Sequence, residues 1–290
     1  MVQTETLRDV LQFYADAGVD IALDEAPRNR IIKVAVPDPR SPTANTIQPE
    51  STLTQSPKTV RHQQTPNVEP AQAAQPVAQN AISHETILQD ARERAAAATT
   101  LDELMELQKS FDGCGLKKTA KTTVFEDGNR NSKIMLIGEA PRRDEDIQGK
   151  PFVGRAGQLL DKMLSAIELD RNSVYLANVL PWRPPGNRTP TAAEMELCKP
   201  FITRQIELFQ PELLLFLGGL PAKSLLETTD GILKLRGKWR AYSPTQVPAL
   251  STLHPEYLLR QPAQKRLVWR DLLNLKNAAK DKGIFPTADQ

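Results

Sequence analysis

The chain has 290 residues, of which 40% are hydrophobic and 25% are charged, and its formal net charge is +2. This composition is typical of a globular protein with one large or two small domains, and any nucleic-acid surface would have to be a local patch. No apolar run approaches the roughly 20 residues that span a bilayer, and the N-terminus does not resemble a secretory signal. Two cysteines make no disulfide framework. We therefore expect a cytoplasmic protein without membrane contact.

The N-terminal part of the chain is predicted to lie outside the main domain. Apolar side chains at helical spacing predict one amphipathic helix over residues 4–22, within an N-terminal segment of residues 1–26. Because one such helix cannot bury its own apolar face, it docks on the main domain or binds a protein partner. Residues 27–84 are rich in Pro, Gln, Thr and Ser and contain no aromatic residue, which predicts a disordered linker.

The rest of the chain alternates between helical and strand patterns. Residues 86–109 predict two helices, and Thr100 or Asp102 can cap the second. The predicted strands are 134–137, 173–180, 213–217 and 247–253, and the helices after them are 158–169, 191–209, 221–226 and 265–280. Thr191 and Glu194 form a capping-box pattern. This order predicts an α/β domain over residues 85–284, with four parallel strands between two helical layers, and a tail at 285–290.

Three loops that leave predicted strands contain most of the candidate functional residues: 138–154, 178–190 and 254–260. In open parallel sheets, ligands bind beyond the carboxyl ends of the strands, so these loops are expected to meet at one edge. Taken alone, the first loop is equally compatible with an ordinary strand–helix connection.

Together, the three loops resemble the motifs of family 4 uracil-DNA glycosylases, and the similarity runs from about residue 111 to residue 276. The matching residues are Gly138-Glu139-Ala140-Pro141, Glu145-Asp146 and Gly149–Arg155 in the first loop, Asn178-Val179 in the second, and His254–Arg260 in the third. The resemblance implies a monofunctional, monomeric enzyme of base-excision repair that removes uracil from DNA and leaves an abasic site.

The resemblance implies specific roles in holding a flipped uracil. Phe152 would stack on the base, and the Asn178 amide would donate to O4 and accept from N3–H. His254 would donate a hydrogen bond to O2 as a neutral imidazole and so stabilise the leaving uracil anion. The simpler interpretations are a core phenylalanine, a turn asparagine and a structural histidine before proline.

The residue that activates water is left open. Other branches of the superfamily have a carboxylate where this chain has Ala140, which the resemblance places in the base pocket. Glu139 and Glu145 are the implied catalytic carboxylates, either as positioners of water or as supports of the loop, and Asp144 is nearby. Electrostatics and positioning could also supply part of the rate without a strong general base.

Contacts to DNA are implied for the third loop. Leu258 and Leu259 resemble an apolar wedge that fills the gap left by the flipped base, and Arg260 would hold a phosphate. Other cations could extend the phosphate contacts, although each one alone is better explained as a solvated surface charge: Arg142, Arg143, Arg155, Arg183, Arg188 and Lys265.

Two features depart from the family pattern. Many members bind a [4Fe–4S] cluster through four cysteines, but here only Cys114 and Cys198 occupy those positions, and Phe111 and Trp182 occupy the others. Two thiolates do not replace four, so we expect no cluster and no other cofactor, with the two aromatic side chains packed against the thiols. The second departure is Arg142, where the family usually has a glycine that permits a positive φ.

Two alternatives to a glycosylase remain. One is the superfamily branch that becomes covalently trapped on its product through a histidine, but residues 183–190 contain neither a histidine nor an insert. The other is a non-catalytic DNA-binding module, recruited through the N-terminal helix. It predicts binding of uracil-containing DNA without an abasic product.

Overall fold

A computed structural model of the protein describes residues 83–285. The predicted N-terminal helix, almost all of the predicted linker and residues 286–290 lie outside the described residues. The first helix begins at His84, one residue before the predicted start of the main domain.

The described chain alternates between helices and strands, as the sequence predicts. The helices are α1 (His84–Ala97), α2 (Leu101–Ser110), α3 (Arg143–Gln148), α4 (Gly154–Ser165), α5 (Ala192–Phe209), α6 (Gly219–Leu225), α7 (Ile232–Leu235), α8 (Pro255–Arg260) and α9 (Lys265–Asp281). The strands are β1 (Asp127–Gly128), β2 (Ile134–Gly138), β3 (Tyr175–Asn178), β4 (Leu213–Leu217), β5 (Trp239–Tyr242) and β6 (Val247–Thr252). Short 3₁₀ turns lie at Gly115–Lys118, Arg171–Ser173, Pro185–Asn187 and Pro262–Gln264.

The sheet has six strands in the order β1-β3-β2-β4-β6-β5. The four central strands are parallel, whereas β1 and β5 pair antiparallel at the two edges. The predicted count of four was therefore wrong. Strand β1 has only two residues, and three of the four side chains in β5 are exposed, so neither edge strand carries the buried apolar run that identifies a strand.

Two apolar cores lie on opposite faces of the sheet, because successive side chains of a strand point to opposite faces. In β2, Met135 and Ile137 belong to a core that includes residues of α1, α2, α5 and α6. Ile134 and Leu136 belong to a second core with residues of α4, α8 and α9. This arrangement confirms the predicted three-layer α/β/α class.

The predicted helix caps are present. The Thr100 side chain accepts from the backbone N–H of Glu103 at 3.2 Å and so caps α2. Thr191 and Glu194 form a reciprocal capping box at the start of α5. Helices α3, α7 and α8 were not predicted. They have only four to six residues each, too few for a 3.6-residue repeat to be recognised.

Between residues 83 and 285, no helix combines the length and the hydropathy that crossing a bilayer requires.

Candidate active site

The parallel strands bring the predicted loops to one edge of the sheet. Gly138 at the end of β2 pairs in register with Asn178 at the end of β3. The pairing of these two segments continues beyond the strand ends, since Leu180 N–H donates to the Glu139 carbonyl at 3.0 Å. On the other side, Gly218 N–H donates to the carbonyl of Thr252 at 2.9 Å, close to His254. The three loops therefore begin side by side.

Gly138 lies where Phe152 and Asn178 meet. A Cβ atom on this glycine would stand 2.4 Å from Asn178 Oδ1 and 2.5 Å from the Phe152 ring. Non-bonded atoms do not approach one another this closely, so this arrangement of the two side chains requires glycine here. Phe152 and Asn178 are both buried, with 2% and 7% of their surface exposed. The phenyl ring also lies 6.1 Å from the His254 ring, centroid to centroid.

His254 is held in one tautomer by the backbone of α8. It is the N-cap residue of this helix, and its Nδ1 accepts from Glu256 N–H at 3.1 Å. Burial, together with the guanidinium groups of Arg142 and Arg260, lowers the pKa of His254 to about 4. The imidazole is therefore neutral near pH 7. Because Nδ1 is an acceptor, the proton is on Nε2, which leaves one N–H free to donate.

A cavity of about 320 Å³ opens beside this imidazole. Its walls include Glu139 and Ala140 from the first loop, Gly218 and Gly219 after β4, and His254 and Tyr257 from the third loop. Phe152 and Asn178 are not among its lining residues. They lie instead beside Gly138, the immediate neighbour of Glu139. The expected side chains are thus close together, but the ring and the amide are covered in this structure.

The two implied carboxylates have different surroundings. Glu145 is 5% exposed, and its carboxylate accepts from the backbone N–H of Arg142 at 2.5 Å and from the backbone N–H of Phe152. Burial is the main reason that the pKa of Glu145 rises to about 7. Glu139, by contrast, lines the cavity, and burial raises the pKa of its carboxyl, opposed by Arg142. The Glu145 carboxylate is therefore occupied by the backbone of its own loop, whereas Glu139 borders the cavity.

A second concavity, of about 490 Å³, adjoins the cavity and contains several arginines. Arg143 and Arg155 line it, and Arg142 and Arg260 line both spaces. Three carboxylates, those of Asp144, Glu145 and Glu256, line the same groove and offset part of this positive charge.

Arg142 ties the three loops together. Its Nη1 donates to the carbonyl of Asn187 at 2.9 Å, and its Nη2 lies 2.6 Å from Glu256 Oε2. Its backbone φ is −101°, so the position needs no glycine. The departure from the family pattern therefore adds contacts between loops and leaves the backbone unstrained.

Several predicted DNA contacts do not fit their surroundings. Leu258 is fully buried in the core against α4 and α9, because the third loop is a helix whose apolar face turns inward, so it is not exposed as a wedge in this structure. Leu259 lines the arginine groove. Lys265 is 2% exposed and cannot serve as a surface cation. Arg188 is paired with Glu194 at 2.5 Å, and Arg183 donates to Asn187 Oδ1 at 2.7 Å.

The four positions that would hold an iron–sulfur cluster are adjacent in the first core. Phe111 and Trp182 stack with their ring centroids 6.5 Å apart, and the thiols of Cys114 and Cys198 interact in the same core. All four side chains are buried. Within residues 83–285, no group of three or more His, Cys, Asp or Glu side chains is arranged to hold a metal ion. Two thiols and two aromatic rings do not fit a cluster that needs four thiolates.

Sequence reasoning missed three residues that shape this site: Arg171, Asn187 and Glu256. Arg171 contacts the carbonyl of Phe152, and the other two bind Arg142. Glu256 lies within the third motif, which could have drawn attention to it. Neither Arg171 nor Asn187 carries a signal of its own, because the partner in each case is distant in the sequence.

Comparisons with known proteins agree with this geometry. Residues 125–273 match the family described as the uracil DNA glycosylase superfamily. The type-4 uracil-DNA glycosylase of Pyrobaculum aerophilum is 37% identical over 193 residues, which cover 64% of this chain and 98% of that protein. The enzyme of the same name from Thermotoga maritima is 36% identical over 197 residues, covering 63% of this chain and 99% of that protein.

A more distant similarity comes from a different kind of protein. The DNA polymerase of Bacillus phage SP01 is 29% identical over 146 residues, which cover 50% of this chain and only 16% of the polymerase. The match to the family and the near-complete coverage of the type-4 enzymes are decisive, and the chain belongs to the uracil DNA glycosylase superfamily.

Proposed function

We propose that the protein is a uracil-DNA glycosylase that hydrolyses the bond between uracil N1 and C1′ of deoxyribose in DNA. When this bond breaks, its electron pair stays on uracil, and the sugar acquires oxocarbenium character. Water then adds its oxygen to C1′ and loses a proton, the uracil anion takes up a proton, and the products are free uracil and an abasic site. The enzyme has to stabilise an anion on the base and a cation on the sugar.

The observation that carries this proposal is the hydrogen-bonded state of His254. Its Nδ1 is occupied by the Glu256 backbone N–H, and its ring is neutral, so Nε2–H is a fixed donor beside the cavity. Such a donor, directed at uracil O2, stabilises the charge that develops on the leaving base. A pre-positioned donor of this kind contributes about 10²- to 10³-fold to the rate.

Base selection is assigned to Asn178 and Phe152. The Asn178 amide would read O4 and N3–H of uracil, and cytosine reverses both the donor and the acceptor. Phe152 would supply the stacking surface. Both side chains are covered in this structure, so these proposed contacts require the ring and the amide to become accessible when DNA binds.

Glu139 is the proposed water-positioning residue, since it lines the cavity near His254. The carboxylate of Glu145 is occupied by two backbone N–H groups, so its proposed role is to hold the loop. On the DNA side, Arg155 and Arg260 are the proposed phosphate contacts, with Leu259 as the apolar contact in place of Leu258.

No chemical step is assigned to a cofactor, because the residues at the four cluster positions do not suit one. A protein partner for residues 4–22, a monomeric state and a cytoplasmic location remain predictions of the sequence.

The direct test is a cleavage assay on oligonucleotides that contain uracil, thymine, cytosine or hypoxanthine at one position. We expect an abasic product from uracil and none from thymine or cytosine. Binding of uracil-containing DNA without an abasic product would favour the non-catalytic alternative, and an adduct that survives denaturation would favour the covalently trapped branch.

A further inference from the structure

The backbone of Phe152 adopts a conformation that few side-chain-bearing residues adopt. Its φ is +55°, in the left-handed region, where a residue other than glycine is uncommon and is maintained by its surroundings. The direction of the Cα–Cβ bond follows from this backbone conformation. The groups that hold the backbone of Phe152 therefore also determine where its ring lies.

Charged side chains bind this residue from two directions. The Glu145 carboxylate accepts from Phe152 N–H, and the Arg171 guanidinium donates through Nη2 to the carbonyl of Phe152. On a third side, helix α4 comes so close that a Cβ on Gly157 would stand 1.7 Å from the same carbonyl oxygen. Both polar groups of Phe152 are thus fixed.

Arg171 is itself rigidly placed. Its Nε lies 2.8 Å from Asp161 Oδ1, and its Nη1 lies 2.6 Å from Asp127 Oδ2. The side chain is 27% exposed, so the guanidinium is partly shielded from water. With two of its nitrogens on carboxylates from α4 and β1, the planar guanidinium presents its third nitrogen to Phe152 in one orientation.

We infer that Arg171 is a positioning residue for base recognition, and that it acts by fixing the carbonyl of Phe152 so that the ring can stack on uracil. The inference rests on the proposed function. It gives Arg171 no contact with the base or the sugar, and it links the turn before β3 to the stacking residue. Lysine cannot replace it, because one ammonium cannot reach both aspartates and the carbonyl in a planar arrangement.

The test is a double-mutant cycle between Arg171 and Phe152 in the full chain. The variants are Arg171→Met, Phe152→Ala and the double variant, with Arg171→Lys as the charge-retaining form. The measurements are kcat/KM on uracil-containing DNA, inhibition by free uracil, affinity for abasic-site DNA and thermal unfolding. Arg130→Met is the matched control, since Arg130 also bridges two carboxylates, Asp102 at 2.9 Å and Glu126 at 2.5 Å, and lies outside the three loops of the candidate site.

Loss of a stacking contact should lower kcat/KM by about 5- to 150-fold in Phe152→Ala. Arg171→Met should lower kcat/KM and uracil inhibition by about tenfold, but less than about twofold once Phe152 is already alanine. Affinity for abasic-site DNA, which lacks the base, should not change. Arg171→Lys should behave like Arg171→Met, and Arg130→Met like the wild type.

Additive effects of the two substitutions would overturn the inference, as would equal losses of affinity for uracil and for abasic-site DNA. If Arg171→Met fails to fold, the cycle is run with Arg171→Lys, and the same coupling is required. A wild-type protein without uracil excision would instead contradict the proposed function, so the two failures are distinguishable.

Discussion

Arg142 Nη2 lies 2.6 Å from Glu256 Oε2, and this ion pair joins the loop after β2 to helix α8. Both residues line the cavity beside His254 and also the groove that contains the arginines, so the pair forms part of the wall between the two spaces. Arg142 also contacts Asn187 in the loop after β3. One side chain thus connects all three loops that carry the candidate site.

Replacing Arg142 by glycine should shift the pH dependence of activity. The Arg142 charge lowers the pKa of both His254 and Glu139, and the Glu256 charge raises that of Glu139. Without Arg142, both pKa values rise, so the acid limb of the kcat profile should move to higher pH. Because both partners are about one-third exposed, the loss of stability should be only about 1 kcal/mol or less.

Kinetics from pH 4 to 9 and thermal unfolding of the Arg142→Gly protein test this expectation. Arg143→Ala is the control, because it removes a cation of the same groove that forms no ion pair with any residue between 83 and 285. It should weaken DNA binding and leave the acid limb in place. An unchanged acid limb in Arg142→Gly would show that the pair does not govern the site.

His254→Asn should separate the catalytic role of this residue from its role in capping α8. Asparagine is a favourable N-cap, so the helix start is retained. The Nε2–H donor is lost, and kcat should fall about 10²- to 10³-fold. Single-turnover excision and thermal unfolding are the measurements. A drop in activity that merely parallels a drop in melting temperature would contradict the catalytic role.

The same variant should also change how stability depends on pH. The folded pKa of His254, about 4, lies below its usual value of 6.5. The neutral ring therefore contributes stability that is fully present above pH 6.5 and is lost as the pH falls through about 4. His254→Asn should flatten the stability curve in this range.

Glu139→Gln is expected to lower activity, whereas Glu145→Gln is expected to lower stability. Glu139 can position water, so its substitution should lower kcat by about tenfold or more and leave the melting temperature unchanged. Glu145 holds two backbone N–H groups, so glutamine leaves one of them without its acceptor and should cost about 1–3 kcal/mol of stability.

The pH dependence of stability gives an independent check on Glu145. Its folded pKa, about 7, is raised above the usual 4.5. The stability associated with the protonated carboxyl is therefore present below pH 4.5 and is lost as the pH rises through about 7. Glu145→Gln should remove this dependence. If the variant keeps the wild-type slope of stability against pH, a group other than Glu145 is responsible for the dependence.

Asn178→Ala should reduce uracil excision more than DNA binding. A bidentate contact with a base edge is worth about 1–3 kcal/mol, which corresponds to a loss of about 5- to 150-fold in kcat/KM. The rate on uracil-containing oligonucleotides is compared with the affinity for abasic-site DNA. Excision within about threefold of the wild type would mean that another residue reads the base.

Cysteines at positions 111 and 182 should restore the four-thiolate set. The wild-type protein, purified anaerobically, is expected to have no absorbance band at about 400 nm and to contain no stoichiometric iron. The double variant Phe111→Cys with Trp182→Cys should acquire both after reconstitution with iron and sulfide, because Cys114 and Cys198 are already adjacent. Iron in the wild-type protein would overturn our assignment of these positions.

Much of the fold, and the position of the candidate site, could be predicted from the sequence alone. The apolar runs at 213–217 and 134–137 identified buried parallel strands, and a parallel sheet necessarily gathers the loops at its carboxyl edge. The motif residues Asn178 and His254 could therefore be placed near each other without coordinates. Local hydrogen bonding likewise made the caps at Thr100 and Thr191 predictable.

Only the tertiary structure decided what each side chain does at that edge. The contacts of Arg142 with Glu256 and of Arg171 with Phe152 join segments that are separate in the sequence. No local sequence pattern predicts either contact. The structure shows that Glu145, Leu258 and Lys265 are buried, whereas Glu139 lines the cavity. The sequence could not show this, because burial depends on which elements pack together. Local patterns specify strands, helices and caps, whereas the environment of a charged group is a property of the assembled fold.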